Sequence, residues 1–347
     1  MVTGTNIRFF PFEDRRIAYA VSGGGPPLVA SAWWLSHLEL DWQDEAFRRF
    51  WEALAEGYTL VRYDRLGVGM SDREGLDGQL AADGEVALLG RVLDELELDR
   101  VVLVGGSSGG CAAISFAAQF PERVERLLLY GAYADGAAVS TPEVTEAILT
   151  TVRSHWGLGS KLLADIFLGN AAGAEQERFA RYQRAAASAE TAARLLELIY
   201  RTDVRAELPL VKAPTLVVHR RGDRAIPYVL GRELAAAIPG ATLVPLDGSA
   251  HFPWAGDAGS VVRALRSFLS PGSEDARVAG EPADVLLSAR EREVLALVAN
   301  GLNDREIAAQ LVLSPHTVHR HVANIRHKLG RSSRTAAVAE AARLGLL

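Results

Sequence analysis

Cysteine is almost absent from this sequence. Cys111 is the only one in 347 residues, so no intrachain disulfide can form and no zinc or iron–sulfur site can rest on clustered thiolates. A lone thiol suits a reducing compartment. Long apolar runs are missing as well, since no stretch reaches the ~18 uncharged apolar residues that a membrane helix needs. The first residues, MVTGTNIRFFPFEDRR, lack the cationic start, apolar run and small-residue cleavage site of a secretory signal. No internal repeat and no low-complexity tract is visible. His155 and His219 show no metal-ligand spacing, and neither a metal nor a cofactor is expected. Together these absences point to a cytoplasmic protein with no membrane partner.

What is present is ordinary globular composition, 49% hydrophobic and 23% charged, enough to build a core without staples. The length allows two domains or one large one. The charge is unevenly spread. Leu287–Leu347 carries nine Arg or Lys against five Asp or Glu, so a net −6 chain divides into a +4 tail and a −10 remainder. Four of the eight histidines (His316, His319, His321 and His327) also lie in that tail. An acidic body with a basic end suggests that the end meets a polyanion.

Residues 270–286 are polar and rich in Gly, Pro and acidic residues, which reads as a linker. Before it, strand candidates (Ile17–Val21, Leu28–Ala30, Thr59–Tyr63, Val101–Val104, Leu127–Tyr130, Thr215–Val218 and Thr242–Pro245) alternate with helical stretches. Such alternation predicts a mostly parallel sheet covered on both faces. The rhythm breaks over 137–208, where an Ala-, Leu-, Glu- and Arg-rich segment predicts consecutive helices forming a cap over the sheet's C-terminal edge. The expected organisation is a body at 1–269, a linker at 270–286 and a tail domain at 287–347.

Val101-Val102-Leu103-Val104 runs into Gly105-Gly106-Ser107-Ser108-Gly109-Gly110 and then into a helix. This is G-x-S-x-G in a strand–turn–helix context, where glycines allow a turn sharp enough to lift Ser107 Oγ above the sheet. A serine needs a base to take its proton and an acid to orient that base. Asp223 and His251 follow in that order, each on a loop just beyond a strand, with Asp135 as the alternative acid. On these residues the chain resembles the α/β-hydrolase family over roughly 5–270. The segment Tyr63–Asp72 resembles the structural turn after that family's fourth strand. The resemblance implies a Ser107–Asp223–His251 triad and an oxyanion site made partly by the N–H of Ser108. The family's His-Gly after the third strand is replaced by Ala30-Ser31-Ala32-Trp33-Trp34. That leaves Ala32 or Trp33 to give the second N–H, and makes Trp33, Trp34 and His37 candidate pocket residues. Whether the triad turns over stays open at this point.

The tail reads helix by helix. Ser288-Ala289-Arg290-Glu291 is a capping box, Asn303–Glu306 caps a short second helix, and Ser314-Pro315 opens a third that runs to Leu329. Ser333 caps a fourth. The second and third helices, joined by a brief turn at Val312–Leu313, form a helix-turn-helix. In the third, Val318, Val322, Ile325 and Leu329 step along one buried stripe. His316, Arg320 and Ala323 face the other way, flanked by His319 on one side and His321, Asn324 and Lys328 on the other. Residues 287–347 resemble the LuxR-type DNA-binding domain of bacterial transcription regulators from end to end. The resemblance implies a third helix in the major groove of double-stranded DNA, with His319 and Arg320 at base edges and Thr317, His321 and Lys328 near phosphates. It also implies a homodimer on paired half-sites. The resulting expectation is a one-component regulator, nucleoid-associated when bound, whose hydrolase-fold sensor takes a small-molecule effector. The alternative is an esterase- or lactonase-class serine hydrolase with an accessory tail.

Overall fold

The computed structural model describes residues 6–73, 82–169, 171–269, 289–311, 313–328 and 333–343. The expected linker at 270–286, together with Ser288, Val312, Leu329 and Gly330, lies outside them. Two compact units separate, at 1–276 and 277–347, and each has its own core.

The larger unit is built on an eight-stranded sheet: β1 Ile7–Phe12, β2 Arg15–Gly23, β3 Pro27–Ala30, β4 Thr59–Tyr63, β5 Val101–Gly106, β6 Val124–Tyr130, β7 Thr215–Arg220 and β8 Thr242–Leu246. The order is β1-β2-β4-β3-β5-β6-β7-β8. The β1–β2 and β2–β4 pairs are antiparallel, and every later pair is parallel. β1 departs from the sequence reading, which began the sheet at Ile17. Its Ile-Arg-Phe-Phe-Pro-Phe has no period-2 alternation, and Pro11 lacks the donor that a central strand needs. Only an edge position tolerates such a segment, and β1 occupies the edge.

The sheet reverses direction at β3. The chain runs from β3 outward to β4, then crosses back to lay β5 on β3's other side, with Ala30 opposite Val104. Open α/β sheets place their sites at such a switch, beyond the carboxyl ends of the diverging strands. The loop carrying Ala32 and Trp33 and the turn carrying Ser107 are therefore neighbours. Helices α1 Leu38–Gln43, α2 Glu45–Leu54, α3 Ala82–Glu95 and α4 Ser108–Gln119 precede β6 or lead into it. Between β6 and β7 stand α5 Pro142–Ser154, α6 Trp156–Leu168, α7 Gly173–Ala186 and α8 Ala189–Arg201. Their apolar stripes meet in a separate cluster with Trp34, Leu35 and Val68. Thr141, His155 and Ser188 cap three of these helices through side-chain acceptors. α9 Tyr228–Ala237 and α10 Ala258–Leu269 complete the unit.

In the smaller unit, α11 Ala289–Ala299, α12 Asp304–Leu311, α13 Pro315–Lys328 and α14 Arg334–Arg343 surround a core of Val294, Leu295, Ile307, Val318, Val322, Ile325, Ala337 and Ala341. Asn303 Oδ1 accepts from the backbone N–H groups of Arg305 and Glu306, while Glu306 Oε2 accepts from Asn303 N at 2.7 Å. This reciprocal box starts α12 where the sequence places it. Ser314 Oγ accepts from Thr317 N at 3.1 Å to start α13.

Because each unit holds its own core, they should melt separately. Ile325→Ala removes a fully buried side chain, a change that costs about 2–5 kcal/mol. Calorimetry should show the tail transition lost or sharply lowered and the body transition unmoved; a single shifted transition would contradict independent cores.

Candidate active site

Ser107 sits between the end of β5 and the first turn of α4 with φ 52° and ψ −128°, a region that L-residues avoid. Glycines around it make room for that turn. A Cβ on Gly106 would stand 2.1 Å from the Trp33 indole, and one on Gly105 would meet Ala113 and Gly110 at 2.8 Å. Ser107 N donates to Tyr130 O at 3.0 Å, which ties the turn to the neighbouring strand. α4 begins directly behind it, so its first N–H groups point toward charge developing at Ser107.

Asp223 and His251 come together beyond β7 and β8. His251 Nδ1–H donates to Asp223 Oδ2 at 2.8 Å, and both side chains are buried. Asp223 Oδ1 accepts from Ala225 N and Ile226 N at 2.9 and 3.1 Å. Burial works to raise the Asp223 carboxyl, but the charge and hydrogen bond of His251, with His219 and the Ile226 N–H, outweigh it and hold the group below its ordinary value. With Nδ1 committed to an acceptor-only carboxylate, Nε2 is the ring atom left to take a proton. It is buried and has no hydrogen-bond partner. Ser107 and His251 line one cavity of about 120 Å³. The ring is fixed from both sides, by Phe167 stacked at 5.7 Å and by Trp33 edge-on at 6.0 Å. Gly131, at φ 53°, lets β6 end against this pair, since a Cβ there would lie 3.3 Å from His251 and 3.4 Å from Asp223.

Trp33 divides the space above the sheet. Its ring contacts Phe252 at 5.7 Å and Trp254 at 5.2 Å between centroids. On the side away from Ser107 lies a second cavity of about 460 Å³, lined by Ala32, Arg62, Phe179 and Trp254 among others. Among the described residues, no group of three His, Cys, Asp or Glu side chains gathers as a metal site.

In the smaller unit, Val318, Val322 and Ile325 of α13 are buried while His319, Arg320, Ala323 and Asn324 are exposed and Thr317 and His321 half-buried. His319 Nδ1 lies 3.5 Å from Asp304 Oδ2 at the start of α12. The side chains of His316 and Lys328 lie outside the described residues.

Residues 42–255 match the family described as "alpha/beta hydrolase fold". The chain belongs to that family. Residues 285–341 match "Bacterial regulatory proteins, luxR family", so the same chain ends in a LuxR-type DNA-binding domain. The chain is 30% identical over 208 residues to a 2-hydroxy-6-oxononadienedioate/2-hydroxy-6-oxononatrienedioate hydrolase of Cupriavidus pinatubonensis, a match covering 57% of this chain and 72% of that one. It is 28% identical over 259 residues to a 2-hydroxy-6-oxo-6-phenylhexa-2,4-dienoate hydrolase of Burkholderia cepacia, covering 72% and 86%. The enol-lactonase of Burkholderia xenovorans LB400 superposes with a TM-score of 0.62 at 26% identity, over 76% of this chain and 99% of that one.

Within this α/β-hydrolase body the sequence-derived candidates separate. Trp34 lines the Ser107 cavity and Trp33 lines both cavities. His37 lines neither; its Nδ1 accepts from Leu40 N at 3.4 Å as the cap of α1. Asp135 is not beside His251, since it accepts from Ala137 N and pairs with Arg205 at 3.0 Å. The Ala32 carbonyl accepts from Arg65 Nη2 at 2.9 Å, and Ser31 Oγ donates to Gly109 O at 2.8 Å, so the loop after β3 is held by Arg65 and by the first turn of α4. Arg220 was missed. Its buried guanidinium donates to the carbonyls of Ala250, Phe252, Ala255 and Asp257 at 2.6–3.2 Å. It thereby holds the loop that presents His251, and nothing in a final strand residue announces such a clamp.

Ser107→Gly should stabilise the body by about 1 kcal/mol, because glycine relieves a positive-φ strain of ~1–3 kcal/mol against its own entropic cost of ~0.5–1. Denaturant midpoints measure this. A loss of stability would mean that the Ser107 hydroxyl, not the strain, dominates the turn.

Proposed function

We propose that this chain is a one-component transcriptional regulator whose α/β-hydrolase body binds a small molecule and whose LuxR-type tail reads an operator. The observation that carries the reading is Trp33 lying on Gly106. The turn that should open an oxyanion pocket is filled with an indole, beside a cavity of only about 120 Å³. Losing one oxyanion donor costs on the order of 10²–10³ in turnover. A body so altered, joined to a DNA reader, is better suited to holding a ligand than to turning it over quickly.

In this reading Ser107 is the nucleophile or ligand-contacting hydroxyl, His251 its base and Asp223 the orienting acid. The N–H of Ser108 faces developing oxyanion charge, and a second donor would have to come from Ala32 or Trp33, where the indole takes the space. Trp34, whose buried Nε1 has no partner, offers a donor to the ligand. The body corresponds to 1–269 with the helical cap at 137–208, the linker to 270–286 and the tail to 287–347. The protein acts as a cytoplasmic homodimer on paired half-sites, and among the described residues no helix is long and apolar enough to cross a membrane. His316, Ala323 and Asn324 lie at the groove face, His319 and Arg320 at base edges, and Thr317, His321 and Lys328 near phosphates.

A second reading, a serine hydrolase of the esterase or lactonase class, is favoured by the His251–Asp223 pair and by relatives named as hydrolases. Slow hydrolysis of an ester, lactone or amide effector is compatible with both.

Arg320→Ala should weaken operator binding by about 1–3 kcal/mol and relax one operator position while sparing non-specific DNA. Gel shifts on the DNA upstream of its own gene, with point-substituted operators, measure this; equal losses on every sequence would remove Arg320 from the base edge.

The two readings diverge on coupling. For a sensor, one of a panel of short esters, lactones and carboxylic acids should shift DNA affinity by about 1–3 kcal/mol at fixed salt. Ser107→Ala should keep that shift. Rapid p-nitrophenyl acetate turnover with no compound shifting DNA affinity would sink the sensor and leave the hydrolase.

A further inference from the structure

The larger cavity has no part in the triad. Its volume of about 460 Å³ falls in the roughly 300–1,000 Å³ range of small-molecule sites. Of the residues lining it, Trp33 and Phe252 alone also line the Ser107 cavity. Its walls are largely apolar, with Leu35, Phe47, Phe179 and Trp254 joining that aromatic partition. Into this setting the end of β4 brings Arg62.

Arg62 is 5% exposed, yet its Nε and Nη1 have no hydrogen-bond partner. Its guanidinium lies 4.1 Å from the Trp42 ring centroid and 5.6 Å from that of Phe47. Among the described residues no carboxylate forms an ion pair with it. The nearby acids are committed elsewhere. Asp64 accepts from Ser36 Oγ at 2.6 Å, Met70 N at 2.9 Å and Leu38 N at 3.1 Å. Asp41 accepts from Tyr182 Oη at 2.6 Å and His37 N at 3.1 Å. Burial, and then the charge of Asp64, push the Asp41 carboxyl up to about 7, so near neutral pH it is only partly ionised. A buried guanidinium with idle donors on an apolar cavity is a costly arrangement unless something anionic completes it.

We propose that this second cavity is a further effector site beside the Ser107 cavity and that it takes an amphipathic carboxylate, its anionic head hydrogen-bonded to Arg62 and its apolar body against the Trp33–Phe252 partition. A guanidinium suits that head because its donors match the acceptor oxygens of a carboxylate. On the open side, Arg178 pairs with Asp44 at 3.3 Å, and both residues line the cavity. The biological use of the site rests on the regulator reading above; binding at the site does not.

The test uses the full chain and two matched pairs of probes: octanoate with octan-1-ol, and 4-phenylbutanoate with 4-phenylbutan-1-ol. Calorimetry without DNA should show at least one acid binding more tightly than its alcohol. Arg62→Met should weaken that acid by about tenfold or more, the order expected for losing a charge-assisted hydrogen bond, while leaving its alcohol unchanged. Arg62→Lys should recover part of the loss. Arg62→Met should also melt no lower than wild type, because a buried cation with two unpartnered donors has been removed, whereas a guanidinium with a structural task would lower the midpoint. If Arg62→Met does not fold, the structural task is shown and the proposal falls, as it does if neither acid binds better than its alcohol or if Arg62→Met binds the acid as wild type does. Gel shifts are read separately. Acid binding through Arg62 with no change in DNA affinity upholds the site and counts against the regulator reading alone.

Discussion

The close approach of Trp33 to Gly106 governs most of what the body can do. An indole can lie there only because residue 106 has no Cβ, and the elbow at Ser107 can form only because residue 105 is equally bare. Once seated, the ring touches His251, Phe252 and Trp254. It packs against the His251 ring, narrows the cavity beside Ser107 and walls off a second, larger one. One side chain thus sets both the small volume available beside Ser107 and the existence of a separate apolar chamber.

That arrangement depends on the strand order. Because β5 returns to pair with β3 on the side away from β4, the third-strand loop and the serine turn are forced together. The β7 and β8 loops must then reach across to deliver Asp223 and His251. Loops are ordinarily the mobile parts of a fold, and here Arg220 removes that freedom by binding four carbonyls of the His251 loop. A histidine held this way enters any encounter with a ligand already oriented, which is the kind of preorganisation that both catalysis and selective binding require.

How much of this was legible in the sequence follows from whether the signal was local. The G-x-S-x-G turn, the N-caps at Asn303 and Ser314 and the Val318–Val322–Ile325 stripe are local patterns, and the structure places each where the sequence reading does. The His251–Asp223 pairing is long-range, but both partners stand just after strands, so topology brought them within reach of sequence reasoning. His37 illustrates a case with two local readings: polar and close to the aromatic pair, it suits either a ligand contact or a helix cap, and it is the cap of α1. β1 was lost because Pro11 and an unbroken apolar run hide an edge strand. Arg62 and Arg220 were invisible for a physical reason. An arginine is normally exposed, and nothing in the residues around either one shows that the sheet's twist and the covering helices have closed over it.

Ser107 in a disfavoured backbone region and Arg62 buried without an acceptor are two local rules broken within one body, on either side of the same aromatic partition. Folded chains carry such violations chiefly where a ligand or a reaction makes use of them. The Asp64 turn shows what a purely structural solution looks like here: a buried carboxylate whose oxygens are all taken, by Ser36 Oγ, Leu38 N and Met70 N. The fold can therefore satisfy a buried charge fully within this same turn. Its failure to do so at Arg62, a strand position two residues away, is the stronger for that contrast. Arg62 lines a cavity large enough for a small molecule, so the missing acceptor is best sought outside the chain.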